Sequence, residues 1–153
     1  LEGFNQFSPK RIILDRNLEI NFKSYIAKSI KNENTIIFHN SNDKLKIKLL
    51  KKRGTILIKQ STDKYKNLDL KKILKDLYKL EIRNLLVEGG DILTKNLLQK
   101  KLFNEFYMFR SSKNLSKNKK HVNFTSFSIL NTKYNKHKIN SKLANDKLTI
   151  YKN

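Results

Sequence analysis

Leu85-Leu86-Val87-Glu88-Gly89-Gly90-Asp91-Ile92-Leu93-Thr94-Lys95-Asn96-Leu97-Leu98 reads as a short strand, a two-glycine turn and the start of a helix. Three consecutive apolar residues, Leu85 to Val87, fit a parallel strand covered on both faces. The run ends at Glu88, and paired glycines follow at once. Lacking a Cβ, they are free to take positive φ and to let a ligand approach the backbone. The helix after them offers unpaired N–H groups and the positive end of its dipole. Phosphate is the natural ligand of such a terminus. Glu88 falls at the carboxyl end of its strand, where open α/β sheets keep their binding crevice, and a carboxylate there accepts hydrogen bonds from ligand hydroxyls. The plainer reading is a tight βα turn with Glu88 solvated and Asp91 as the helix N-cap. No complete GxGxxG or Walker pattern occurs in the chain.

The flanking sequence alternates between strand and helix. Arg11 to Asp15 (RIILD), after Pro9, and Thr35 to His39 (TIIFH) read as buried strands. Lys44 to Lys52 reads as a short basic helix ended by Gly54, and Thr55 to Lys59 as the next strand. Leu70, Ile73, Leu74, Leu77 and Leu80 follow helical spacing, with Asn67 or Asp69 as cap and lysines on the outer face. After the Leu85 strand the pattern gives a helix from about Asp91 to Lys100 and a strand from Glu105 to Arg110. The core unit is therefore strand, helix, strand, helix, strand. From Ser111 onward Lys, Asn and Ser dominate, so 111–146 reads as loop-rich, with short apolar runs such as Phe124 to Leu130. Lys147 to Tyr151 (KLTIY) reads as a last strand, antiparallel to an earlier one. There is no internal repeat and no heptad pattern.

A chain of 153 residues fits a single domain with a real core. Hydrophobic residues make up 38% and charged residues 31%, but the apolar ones cluster in periodic segments, which argues against disorder throughout. The absence of cysteine excludes disulfides, thiolate metal sites and cysteine nucleophiles. No apolar run approaches the roughly 18 to 20 residues needed to span a bilayer, and no secretory signal is visible. The expectation is a cytoplasmic protein with no membrane partner. A net charge of +21 and a pI near 10.1 attract polyanions. The lysines are nevertheless spread along the chain beside abundant Asn and Ile, all encoded by A/T-rich codons. Genome composition accounts for much of the charge, and nucleic-acid contact is expected to be non-specific and salt-sensitive. The chain opens on Leu1 with a core strand within a dozen residues, so it reads as a piece of something longer.

Other chemistry has less support. His39, His121 and His137 stand apart, without the spacing of a metal site, and the serines lack a G-x-S-x-G elbow. Lys113 to Lys120 and Lys133 to Lys142, with Tyr134, Phe124 and Phe127 nearby, offer rings for base stacking, although solvated loops are the plainer explanation. Asp15 ends its strand as Glu88 does, and Arg16 beside it is placed to reach a phosphate. The alternative there is an ordinary strand-end turn.

Three motifs together resemble one family. They are P-K-R-I-I-L-D-R-N-L at Pro9 to Leu18, N-L-L-V-E-G-G-D-I-L at Asn84 to Leu93, and L-F-N-E-F-Y-M-F at Leu102 to Phe109. In order and spacing they are similar to the reductase domain of the bifunctional riboflavin-biosynthesis deaminase/reductase, from about Pro9 to Arg110 and more weakly at the tail. The resemblance implies an α/β, dihydrofolate-reductase-like fold with a mostly parallel central sheet, flanking helices and an antiparallel C-terminal strand. It implies NADPH-dependent reduction of 5-amino-6-(5-phosphoribosylamino)uracil to its ribitylamino counterpart, with homodimers common among similar domains. By the same analogy Glu88 contacts substrate, while Gly90, Asp91, Ile92, Leu93, Thr94, Lys95 and Asn96 cradle the NADPH phosphates. Arg16 stands where similar proteins often carry a Ser or Thr that touches the cofactor, and a guanidinium there can pair with the 2′-phosphate. The cofactor supplies the hydride and the protein supplies position and electrostatics. The residues that direct hydride transfer are not identified.

The family's upstream K-x-A-x-S-x-D-G-like strand and N-P-x-L-T-x-R-like segment are absent from this sequence, as are its zinc deaminase motifs. The chain therefore reads as a single partial reductase domain over 1–153, expected to have little activity alone. The alternative from another class is a small basic nucleic-acid-binding module, which would gather lysines and aromatics on one face. A third reading is a relative that kept the fold and lost the site.

Overall fold

The computed structural model describes residues 9–112, 124–139 and 146–153. The chain divides into two compact units, Leu1–Arg83 and Asn84–Asn153.

The first unit is built on three parallel strands, β1 (Arg11–Leu14), β2 (Thr35–His39) and β3 (Thr55–Lys59), in that spatial order. Helices α1 (Tyr25–Lys28) and α2 (Lys44–Lys52) lie in the connections, and α3 (Leu70–Lys79) follows β3. Every residue of β2 is buried, as a central parallel strand requires, and its apolar run alternates between the two faces. Ile37 packs with Leu18, Ile30 and Leu50, and Ile13, Ile47 and Leu57 surround them. Helix α3 buries Leu70, Ile73 and Leu77, the helical spacing visible in the sequence. Of its two candidate caps Asp69 is the one used, accepting from the N–H groups of Lys71 and Lys72 at 3.1 and 3.4 Å. Helix α2 is capped alike by Asp43, which accepts from Lys46 N at 3.0 Å. It ends before Gly54, whose φ of 80° reverses the chain into β3. A Cβ on Gly54 would meet the backbone nitrogen of Asn32 at 3.3 Å.

The loop after β1 is held by Asp15. Its carboxylate accepts from Glu19 N and Ile20 N, both at 2.8 Å. This clamp sets Leu18 at a φ of 56°, an uncommon value for a branched side chain, while burying that side chain completely. Both carboxylate oxygens of Asp15 are thus engaged in a strand-end turn.

His39 closes β2 with a buried ring whose Nδ1 has no hydrogen-bond partner among the described residues. Burial lowers its pKa below the ordinary 6.5, and Lys59 and Lys51 add to the effect. The Ser41 backbone and Asp15 act the other way without reversing it. The neutral ring is therefore the folded form, so its contribution to stability is full above the unfolded pKa and is lost as pH falls through the folded one. The wild-type thermal midpoint is expected to drop as pH is lowered from about 6.5 towards 5, and His39→Asn should flatten that slope. An unchanged slope in the variant would remove His39 as its source.

The second unit holds α4 (Asp91–Gln99), β4 (Glu105–Arg110), α5 (Phe127–Lys133), β5 (Asn135–Ile139) and β6 (Lys147–Lys152). Its strands form an antiparallel sheet in the order β4-β6-β5, so the last strand is antiparallel as its sequence suggested. Leu98, Leu130 and Tyr151 make the core, with Phe103, Phe106, Met108, Ile129 and Tyr134 packed around them. Two phenols are satisfied at the margin, Tyr134 donating to the Leu98 carbonyl and Tyr151 to Asn131 Oδ1 at 3.0 Å. On the opposite face of the sheet Tyr107, Phe109 and Ile139 are exposed.

One expectation is corrected. Leu85 to Val87 form no strand, and their exposures are 41, 85 and 43%. A strand buried on both faces needs ladder partners as well as apolar side chains, and the described residues pair instead into one parallel and one antiparallel sheet. Glu88 accordingly ends no strand. The segment read as loop-rich contains α5 and β5. Strand β5 has little apolar pattern of its own and exists through its register with β6, for example His137 opposite Ile150.

Candidate cofactor-binding segment

Glycine at position 90 is the N-cap of α4, with φ −76° and ψ 175°, and no side chain caps the helix. The first internal bond runs from Thr94 N to the Gly90 carbonyl at 3.2 Å. The N–H groups of Asp91, Ile92 and Leu93 have no acceptor among the described residues. Neither Gly89 nor Gly90 adopts positive φ, so the backbone freedom anticipated for the turn is not what it uses. The two glycines differ in their surroundings. A Cβ on Gly89 would come within 2.9 Å of the Leu93 side chain, whereas one on Gly90 would meet nothing within 4 Å. Gly90 therefore keeps open space beside the uncapped N–H groups.

Asp91 is the first helical residue rather than the cap. Its carboxylate accepts from Thr125 N at 3.1 Å, Ser126 N at 3.3 Å and Ser126 Oγ at 3.0 Å, and from the Thr125 hydroxyl. The Thr125 hydroxyl first, and then the Ser126 hydroxyl and the two N–H groups, hold its pKa below the usual carboxylate range against a smaller opposing effect of burial. Asp91 thereby supplies at a distance the cap that α5 lacks, since its own N-cap Ser126 makes no such bond within the helix. Sequence inspection missed this role because the partners stand 34 and 35 residues away.

The other predicted residues are placed as follows. Glu88 is exposed and has no hydrogen-bond or ion-pair partner among the described residues. Ile92 and Lys95 face solvent, and Leu93 lies against Gly89. Thr94 is half-buried, and Asn96 turns its amide back to the Ile92 carbonyl at 3.2 Å. Arg16 belongs to the first unit, beyond the carboxyl end of β1. Its Nε donates to Asn17 Oδ1 at 3.2 Å and its Nη1 to the Lys66 carbonyl. His121 and Lys113 to Lys120 lie outside the described residues, as does part of Lys133 to Lys142. Among the described residues no three of His, Asp and Glu gather as a metal site, and no helix is long and apolar enough to cross a membrane.

The α/β framework is that of a dihydrofolate-reductase-like domain. The chain belongs to the RibD C-terminal domain family, whose sequence profile matches residues 2–141. The family is one of riboflavin-pathway oxidoreductases that use a nicotinamide cofactor. The fold is similar to two forms of Acinetobacter baumannii RibD, with TM-scores of 0.67 and 0.69 at 18% identity, covering 94 and 99% of this chain. A pyrimidine reductase-like protein from Corynebacterium diphtheriae is similar at TM-score 0.65 and 14% identity over 94% of the chain. This chain spans 37 and 40% of the two Acinetobacter chains and 60% of the Corynebacterium one. No curated protein matches the sequence.

Proposed function

We propose that this chain is the C-terminal part of a cytoplasmic reductase domain that reduces 5-amino-6-(5-phosphoribosylamino)uracil to its ribitylamino product with NADPH. The observation that carries the reading is the open, uncapped start of α4 behind Gly90, in a chain of this family. Those residues fit a dinucleotide phosphate. Among the described residues the N–H groups of Asp91, Ile92 and Leu93 have no acceptor, and nothing meets a Cβ at Gly90 within 4 Å. With its carboxylate engaged by Thr125 and Ser126, Asp91 has little capacity left to cap its own helix. Thr94, Lys95 and Asn96 continue the same helix, with the Lys95 ammonium without a partner among the described residues and available to a phosphate. Glu88 accepts from substrate hydroxyls. In the first unit, the Nη2 end of the Arg16 guanidinium has no partner among the described residues and is left for an anion. The nicotinamide supplies the hydride when bound, and this chain's part is to orient and to stabilise charge. The exposed sheet face of Tyr107, Phe109 and Ile139 is the surface we assign to pairing in a homodimer.

Two substitutions in a longer polypeptide containing this domain test the assignment. Glu88→Gln should weaken substrate binding by about tenfold or more, the worth of a hydrogen bond to a charged group, while leaving NADPH affinity unchanged. Gly90→Val should do the reverse, weakening NADPH by about tenfold by occupying the space beside the helix terminus. Its thermal midpoint should fall only modestly, by the poorer N-cap that valine makes, because the added side chain meets no protein atom at its Cβ. Equal losses for both ligands, or none, would remove these roles.

A further inference from the structure

Helix α2 reads KLKIKLLKK, five lysines and no acid in nine residues. Three features of its outer side are unfavourable in water. Lys44 stands in the first turn, against the positive end of the dipole. Lys44, Lys48 and Lys52 repeat at four-residue spacing, so like charges are neighbours. Leu45 and Leu49 are 75 and 52% exposed, one turn apart, while Leu50 is the residue the helix buries. Helical geometry sets Leu45 and Leu49 roughly opposite Leu50 and Ile47, with Lys44, Lys48 and Lys52 along one flank and Lys46 on the other. At its C-terminal end Arg53 donates to the carbonyls of Phe22 and Ala27, both at 3.4 Å, which brings α1 alongside. That short helix exposes Tyr25 and Ile26 as well.

We propose that the outer side of α2 rests on an anionic lipid surface as a peripheral contact. An apolar ridge bordered by lysines is the pattern of a helix lying in the plane of a membrane interface. There the ammonium groups reach acidic headgroups while the leucines enter the acyl boundary. A nucleic acid would neutralise the lysines and leave the leucines in water; the exposed Tyr25 of α1 offers bases one ring, and α2 itself none. One anionic, apolar surface relieves all three costs together.

The test is sedimentation of the 153-residue chain with vesicles of phosphatidylcholine alone or with about one third phosphatidylglycerol, at about 150 mM salt. Binding to the anionic vesicles only is expected. Leu45→Ser with Leu49→Ser keeps the charge and should lower partitioning by about tenfold. Lys71→Gln, Lys75→Gln and Lys79→Gln together remove three charges from α3 and should lower it much less. The proposal is overturned if the wild type does not sediment. It is overturned equally if the leucine variant binds like the wild type, or if the α3 variant loses as much, because adhesion would then be general charge. Circular dichroism of both variants should match the wild type, since every substituted residue is exposed.

Discussion

Phe38→Ala is expected to remove much of the stability of the first unit. Phe38 lies in the central strand, completely buried, and its backbone carbonyl accepts from Asp15 N at 3.0 Å where the ladder passes into the loop after β1. Truncating a buried phenylalanine costs about 3–5 kcal/mol through lost transfer energy and the cavity left behind. A small domain commonly has about 5–15 kcal/mol in all. The side chain also stands on the face away from Ile37, so the loss falls on the layer that Leu18, Ile30 and Leu50 do not fill. Urea titration should show the midpoint collapsing in Phe38→Ala, whereas Phe38→Leu should retain most of it. A midpoint for Phe38→Ala within experimental error of the wild type would contradict the burial of β2.

Offered NADPH and 5-amino-6-(5-phosphoribosylamino)uracil, the 153-residue chain is expected to turn over at least about a hundredfold more slowly than a longer polypeptide containing this domain under the same conditions. Glu88 follows three residues that are exposed and belong to no strand. A carboxylate on backbone without a ladder is not held within the fraction of an ångström that positioning demands. Single-turnover absorbance of NADPH would report the rate. Turnover matching the longer protein would mean that Leu85 to Glu88 need no further ordering.

Legibility followed locality. Arg11–Leu14, Thr35–His39, Lys44–Lys52, Thr55–Lys59 and Leu70–Lys79 were readable because apolar spacing, a carboxylate cap and a glycine stop are all written within one element. Leu85 to Val87 were misread because the same three residues are a strand only if other strands pair with them, and that information lies elsewhere in the chain. Helix α5 is too short for periodicity to declare it, and β5 depends on β6. For the candidate site, the glycines and Glu88 were visible as chemistry. The commitment of Asp91 to Thr125 and Ser126 was not, because hydrogen bonds across 34 or 35 residues leave no pattern in sequence.

That commitment of Asp91 joins two processes into one equilibrium. The same residue leaves an unpaired N–H at the mouth of α4 and fastens the start of α5 with its carboxylate. An anion seated on α4 would settle the first turn and, with it, the carboxylate that restrains Thr125 and Ser126. Opening of α5 would in turn return a free negative charge to the mouth of α4 and repel the anion. If an anion seats on α4 as proposed, amide exchange in α5 is expected to slow without any contact between α5 and the ligand.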